Sequence, residues 1–286
     1  MGDHGRAPSV RVLDGPMGTE LEALGHDTTG PAWTASANAE APHLVTQVHR
    51  AHVEAGADVL TANSFRTHPS VVEQALGQPR GAGLAEEAVR VALAAAEGRP
   101  VMGSLAPMGD CYDTDQEAPA AWLTEQHAHH ARTLVAAGCN GLLVETMTTV
   151  REAVAAAEAA RAVAPDLPLW VSCVPCLEGR LLSGESWDKL ARTLAPADPD
   201  ILLVNCGGLP TTAAAAPRLR QAWPGRWGVY PNRSPEPPQA WATQSTLEEL
   251  EAAARGWIAE GASVVGTCCG WRPDATALLR RLVDEG

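Results

Sequence analysis

The 286-residue sequence predicts an α/β protein that folds as a single (β/α)₈ TIM barrel. Short apolar runs alternate with longer alanine-rich segments, the apolar runs number eight, and a helix-ending glycine pattern precedes three of them. A doubly wound open sheet is the alternative, and it would more often carry a glycine-rich dinucleotide turn after its first strand. Here a proline interrupts that turn and no third glycine is in register, so we prefer the barrel.

The eight apolar runs are four to six residues long and too apolar to alternate cleanly between two faces. Parallel strands that are covered on both sides have this character. The predicted strands are Val10–Leu13, Asp58–Ala62, Val101–Leu105, Gly141–Val144, Leu169–Val174, Ile201–Val204, Trp227–Tyr230 and Ser263–Gly266.

The segments between these runs are rich in alanine and leucine, and they predict helices. Gly56, Gly138 and Gly261 each follow such a segment just before a strand, where glycine readily adopts the left-handed conformation that ends a helix. No linker divides the chain, so we expect one domain over residues 1–286, with Pro231–Pro238 as a loop after the seventh strand. The predicted helices are Leu44–Ala55, Leu84–Ala96, Ala120–Ala137, Val150–Val163, Ser186–Leu194 and Leu247–Ala259.

The composition excludes several classes of function. Acidic residues outnumber basic ones by 34 to 21, which gives a formal charge of −13 and argues against a nucleic-acid partner. Glycine, asparagine and proline interrupt the longest uncharged run, so we expect no membrane partner. The first residues have no apolar leader, and we therefore expect a cytoplasmic protein. The sequence does not decide between a monomer and a homo-oligomer.

Three of the seven cysteines follow the sixth and eighth predicted strands, at the end of the barrel where reacting groups lie. Cys206 follows the sixth strand, and Cys268 and Cys269 follow the eighth. Adjacent residues in a strand point to opposite faces, so this pair can bind one ion only where the backbone has left strand geometry. Gly266 and Gly270 flank the pair and permit that change. The pattern predicts a zinc site, with buried core thiols as the alternative.

Three thiolates leave the fourth position of a tetrahedral zinc ion free for a substrate thiol. A coordinating thiol loses its proton and becomes a thiolate at neutral pH. Such a site therefore favours the transfer of an alkyl group to a thiol.

Several segments around these residues resemble the homocysteine S-methyltransferase family. The resemblance runs in order from about residue 11 to 280, and the Asn-Cys and Gly-x-Cys-Cys-Gly motifs are its most specific part. The segments are Leu13–Leu21, Gly56–Phe65, Gly103–Pro107, Leu143–Met147, Val204–Cys206 and Gly266–Gly270.

The resemblance implies a zinc-dependent barrel enzyme that transfers a methyl group to homocysteine and so takes part in methionine biosynthesis. It places the zinc ligands at Cys206, Cys268 and Cys269. We expect a small cationic compound as the methyl donor, with the sulfonium compounds S-methylmethionine and S-adenosylmethionine as our first choice. A betaine-type enzyme, another thiol or selenol methyltransferase, or a noncatalytic zinc- or thiol-binding barrel are the alternatives.

The resemblance also places the amino-acid end of homocysteine near Asp14 and Glu145. The positions of these residues agree, because an ammonium group at the barrel mouth requires a carboxylate and both follow predicted strands. Capping of the next helix is an alternative role for Asp14. The backbone amides of the segment that contains Gly15 and Met17 can bind the substrate carboxylate at a helix N-terminus. Asn63 is a further substrate-binding candidate, with a turn-forming role as its alternative.

Two other motifs are weaker candidates for a functional site. Cys173 and Cys176 form a C-x-x-C pattern, for which we expect a buried first thiol and a second one that lines the mouth rather than a redox or metal site. His127, His129 and His130 form a run that fits a solvated helix face better than a set of metal ligands.

Three single residues complete the candidates. Trp33 suits a donor pocket, because its ring attracts a cation, although packing explains it equally well. Asn205 can orient a ligand or the substrate by hydrogen bonding. Lys189 is the only lysine, and an aldolase mechanism would require it at a strand end, whereas it lies in a predicted helix.

Overall fold

The computed structural model describes residues 10–77, 80–115, 118–234 and 244–286. Within these ranges eight β-strands form one parallel sheet, in the order β1-β8-β7-β6-β5-β4-β3-β2. The strands are β1 Arg11–Val12, β2 Leu60–Thr61, β3 Val101–Leu105, β4 Gly141–Met147, β5 Leu169–Cys173, β6 Ile201–Asn205, β7 Arg226–Tyr230 and β8 Val264–Val265.

The two strands at the ends of that order, β1 and β2, meet and close the sheet. Leu13 and Val59 form a parallel bridge just beyond β1 and before β2. The Asp58 amide donates to the Val12 carbonyl at 2.7 Å, and the Asp14 amide donates to the Val59 carbonyl at 3.0 Å. The predicted (β/α)₈ barrel is confirmed.

Helices connect the strands and cover the outside of the barrel. Every predicted helix is present, and the structure adds helices that the sequence analysis did not assign, among them those after β6 and β8. No described helix is long and apolar enough to span a membrane. The helices are α1 Met17–Ala23, α2 Ala37–Glu40, α3 Pro42–Glu54, α4 Pro69–Leu76, α5 Gly81–Ala95, α6 Ala120–Ala136, α7 Val150–Val163, α8 Trp187–Leu194, α9 Leu209–Ala222, α10 Leu247–Ala259 and α11 Pro273–Glu285.

The interior of the barrel has an apolar layer below a polar one. Side chains two residues apart on a strand share a face, so each strand contributes to both layers. The apolar layer includes Met102, Leu143, Trp170 and Leu203, which belong to one buried cluster. The next inward positions, nearer the carboxyl ends of the strands, are the buried polar residues Ser104, Glu145, Ser172, Asn205 and Tyr230. The fold therefore concentrates polar groups at one end of the barrel.

Two predictions about the fold need correction. Strand β4 continues to Met147 rather than ending at Val144, because its pairing with β5 shifts register between those residues. The His127 and His130 side chains are buried, not solvated. They face the packed side of α6, where the ring of His127 pairs with Glu152 at 3.2 Å and that of His130 with Thr67 at 3.0 Å.

Candidate active site

A cavity of about 920 Å³ opens at the carboxyl ends of the strands. All eight of the predicted site residues line it: Asp14, Gly15, Met17, Asn63, Glu145, Cys206, Cys268 and Cys269. A cavity of this size holds drug-sized molecules, so two amino-acid-sized substrates fit together.

Cys206, Cys268 and Cys269 converge on one point of this cavity. Their sulfur atoms all lie within 4.8 Å of one another, with 2.9 Å between Cys206 and Cys268 and 4.0 Å between Cys268 and Cys269. They are the one group of three or more potential metal-ligating side chains found among the described residues. Sulfurs that share a tetrahedral zinc ion at about 2.3 Å stand about 3.8 Å apart. The observed separations bracket that value, so the cluster can hold a metal ion.

The backbone around the cysteines has left strand geometry, as the flanking glycines predict. Strand β8 ends at Val265, and Gly270 has a φ of 85°. Cys206 itself has a φ of 54°, which is uncommon for a residue with a side chain. The Asn232 side chain holds this turn by donating to the Cys206 carbonyl at 2.7 Å.

The three thiols are electrostatically linked. Hydrogen bonds from the Cys206 and Cys268 thiols lower the pKa of Cys269 well below its usual value. The pKa of Cys268 is raised, because its hydrogen bonds to Cys206 and Cys269 and its burial favour the protonated form. One sulfur of the group therefore carries negative charge most readily, and a cation at this point would allow the others to ionise.

Two buried carboxyl groups lie in the same cavity, as predicted. One oxygen of Asp14 accepts from the Thr61 amide at 2.8 Å. The N-cap position of α1 is Pro16, without a side-chain cap, so Asp14 does not take the alternative capping role. Burial raises the pKa of Asp14 to about 8, and the nearby charge of Glu145 adds to the increase.

Glu145 is the second carboxyl group, and hydrogen bonds orient it. The Ser104 hydroxyl donates to one oxygen, and the Tyr230 hydroxyl donates to the other at 3.3 Å. Burial raises the pKa of Glu145 to about 7, although both hydrogen bonds oppose the increase. Two carboxyl groups with raised pKa values in one enclosed cavity are suited to an ammonium ion, which would restore their charged forms.

Gly15 lies where the chain leaves β1, and a side chain there would collide with its neighbours. A Cβ at this position would stand 2.4 Å from Cε1 of His52 and 3.0 Å from the Thr267 hydroxyl oxygen. Met17 is the first residue of α1, and it lines the cavity together with Gly15 and Gly18. This arrangement agrees with the prediction of a carboxylate-binding segment, which stays a prediction.

Asn63 lines the cavity but uses its amide hydrogens on protein partners. Its Nδ2 donates to the Thr34 carbonyl and to Oδ1 of Asn38, both at 2.9 Å. These bonds hold the short 3₁₀ segment that begins at Trp33. Trp33 packs edge-on against Phe65, with 5.5 Å between the ring centroids. Asn63 therefore positions an aromatic wall, and direct contact with substrate stays a prediction.

Four further candidates are not among the residues that line the cavity. Cys173 is buried in β5 as expected, whereas Cys176 is half-buried and is not among the residues that line the cavity. Lys189 is exposed on α8 and pairs with Glu185 at 2.7 Å, so it lies far from the position that an aldolase would require. Asn205 is buried and donates to the Thr146 hydroxyl at 2.8 Å.

Sequence reasoning missed several residues that shape this site. Ser104 and Tyr230 bind Glu145, and Tyr112 lines the cavity near the cysteines. The composition offered one indication of this wall: the chain has only two tyrosines and one phenylalanine, and all three line the cavity. A second indication lay in the strands, where a polar residue stands two positions after an apolar residue that points into the barrel.

Comparison with known proteins indicates the same family as the sequence motifs. A family model described as homocysteine S-methyltransferase matches residues 11–283. The chain is 26% identical to homocysteine S-methyltransferase 1 of Zea mays over 97% of this chain and 95% of that protein. It is 28% identical to homocysteine S-methyltransferase YbgG of Bacillus subtilis, over 92% and 91% of the two chains.

A solved structure matches the fold closely. The metallated form of the homocysteine methyltransferase MmuM from Escherichia coli superimposes with a TM-score of 0.84, 27% identity and 96% coverage of both chains. The resemblance that the motifs indicated is therefore confirmed, and the chain belongs to the homocysteine S-methyltransferase family of enzymes, which act on homocysteine as the methyl acceptor.

Proposed function

We propose that this enzyme moves a methyl group from a small sulfonium compound to the thiol of homocysteine, with Cys206, Cys268 and Cys269 as ligands of one zinc ion. The observation that carries the proposal is the cavity that joins three convergent sulfurs with two buried carboxyl groups. An all-sulfur set of three suits zinc and leaves one position open. Zinc supplies a Lewis acid there, which favours the thiolate form of an incoming thiol.

The residues of the chain bind and orient the acceptor. The carboxylates of Asp14 and Glu145 pair with the substrate ammonium group, and Ser104 and Tyr230 hold Glu145 in place. The amides at the start of α1 bind the substrate carboxylate. With both ends of the amino-acid moiety fixed, the sulfur is directed toward the three cysteines, and this alignment supplies much of the rate.

The donor lies on the other side of the homocysteine sulfur. Trp33 and Tyr112 line the cavity, and aromatic faces attract a cationic sulfonium, whereas the Phe65 ring already faces the Arg66 guanidinium at 5.5 Å. In the transfer, a carbon–sulfur bond forms to homocysteine while the donor's carbon–sulfur bond breaks. Both bonding electrons of the broken bond remain on the donor sulfur, which leaves as a neutral thioether and requires no proton.

Labelled donors test this function directly. Zinc-loaded protein is incubated with homocysteine and one donor carrying a deuterated methyl group: S-methylmethionine, S-adenosylmethionine or betaine. We expect trideuterated methionine, read by mass spectrometry, from a sulfonium donor. Formation of labelled methionine from betaine alone would contradict the sulfonium assignment.

The ligand set has its own test. We expect about one zinc per chain by elemental analysis, and Cys206→Ala should lose both zinc and methyl transfer because two sulfurs cannot hold the ion tightly. Cys139→Ala is the matched control, since this cysteine is also buried but does not line the cavity. Full zinc content in Cys206→Ala would refute the proposed ligands.

A further inference from the structure

Thr146 has an unusual backbone at the end of β4. Its φ is 62°, and its β-branched side chain makes this left-handed conformation costly. The conformation coincides with the register shift between β4 and β5 that follows Val144. Strain of this kind persists only where the surrounding structure imposes it, and it clusters at functional sites. The turn directs the Thr146 side chain, which is 1% exposed, toward the cysteine cluster.

A chain of hydrogen bonds passes through the Thr146 hydroxyl. Nδ2 of Asn205 is a donor only, and it lies 2.8 Å from Oγ1 of Thr146. Because the hydroxyl accepts from Asn205, its own hydrogen is free to point elsewhere. The sulfur of Cys206 lies 3.7 Å from the same oxygen, within reach of a hydrogen bond to sulfur. A Cys206 thiolate bound to a metal has no hydrogen to donate, so donation then runs from Asn205 to Thr146 and from Thr146 to Cys206.

We propose that Thr146 is a positioning residue that donates its hydroxyl hydrogen to the Cys206 sulfur, with Asn205 fixing the direction of that bond. This inference rests on the proposed metal site. Cys206 is the only one of the three sulfurs for which the described residues show a hydroxyl neighbour at hydrogen-bond distance. Thr146 thus singles out one ligand of the cluster.

The hydrogen bond from Thr146 would reduce the negative charge on one sulfur of the cluster. Three thiolates and a doubly charged cation sum to −1, and a fourth thiolate would bring the sum to −2. A donor to one sulfur withdraws negative charge from it, so the cluster accepts an additional anionic sulfur more readily. Groups that hydrogen-bond to metal ligands typically change metal affinity by about 10- to 100-fold when they are removed.

Cobalt substitution tests the inference by spectroscopy. Co²⁺ bound to the full-length protein gives a thiolate-to-metal charge-transfer absorption in the near ultraviolet. In Thr146→Val the Cys206 sulfur loses its donor and its electrons rise in energy, so we expect the band to move to longer wavelength. Zinc affinity, measured by competition with a chelator, should fall about tenfold or more. Thr146→Ser keeps the hydroxyl and should restore both readouts.

Matched variants separate this role from general destabilisation. Thr148→Val removes a hydroxyl from another buried threonine, two residues away and not part of the cavity wall, and should leave the band in place. If Thr146→Val does not fold, Thr146→Ala removes the same hydroxyl without the added methyl group. A wild-type band position in the folded variant would overturn the inference, even if zinc affinity fell. Absence of a charge-transfer band in the wild type would refute the metal site itself, and this proposal with it.

Discussion

Replacing Glu145 by glutamine should remove much of the enzyme's preference for an amino-acid thiol. The change keeps the size and shape of the side chain but eliminates its charge. Glu145 is 8% exposed, so its interaction with an ammonium ion is weakly screened by solvent. A hydrogen bond between charged groups contributes about 1.5–3 kcal/mol, which corresponds to about 10- to 150-fold in the dissociation constant. Because Asp14 would still contribute a carboxylate, we expect a loss within this range and not complete loss of binding.

The matched ligand is 4-mercaptobutyrate, which is homocysteine without its amino group. Calorimetric titration of zinc-loaded protein should show that Glu145→Gln weakens homocysteine binding about 10- to 150-fold and changes 4-mercaptobutyrate binding less than about twofold. Glu152→Gln serves as the control, because Glu152 is similarly buried and lies outside the cavity wall. Equal losses for both ligands in Glu145→Gln would show that the ammonium group does not pair with this carboxylate.

Three further outcomes follow from the same geometry. Methionine has no thiol proton to lose, and it should bind more tightly as pH rises from 6 to 8.5. Asp14 and Glu145 have pKa values of about 8 and 7, and they attract the ammonium group of the ligand only when they are ionised. A methionine affinity that does not vary over this range, measured by calorimetry, would exclude both carboxyl groups as partners of the ammonium group. Tyr230→Phe removes a donor that lowers the pKa of Glu145, so the pH dependence of methionine binding should shift to higher pH, and a shift to lower pH would contradict that contact. Gly15→Ala should lower the melting temperature by about 2–8 °C because its Cβ would collide with His52, and the additional change His52→Ala should recover part of this loss.

The fold could be predicted from the sequence because its signals are local and repeated. Eight buried runs, six of them followed by a predicted helix, indicate the barrel without any long-range information. The position of the three cysteines after strands six and eight was equally readable, because parallel strands bring their carboxyl ends to one side. What sequence could not supply was the bulge after Val144, since register depends on pairing with a strand that begins at Leu169. The left-handed conformation of Thr146, and hence its approach to Cys206, was hidden for the same reason.

The buried histidines of α6 show a different limit. A His-x-His-His run on a helix is typical of a solvated face, and the spacing contains nothing that contradicts this interpretation. His127 and His130 are three residues apart and share the face that packs inward, whereas His129 points outward. Their partners, Glu152 and Thr67, are distant in sequence, so the chain alone does not reveal that the imidazoles are satisfied. Burial of polar groups is decided by such distant partners.

The loss of charge during the methyl transfer favours a cationic donor. The cavity joins three ionisable sulfurs with the buried carboxyl groups of Asp14 and Glu145, and Arg66, Arg233 and Arg272 also line it. Homocysteine brings one ammonium group to this site, and a sulfonium donor brings a second positive charge. The transfer then converts an anionic sulfur and a cationic sulfonium into two neutral thioethers. Because charges are lost as the methyl group moves, exclusion of water lowers the free energy of the transition state relative to the separated ions. The aromatic ring of Trp33 would favour the cation without supplying a competing nucleophile.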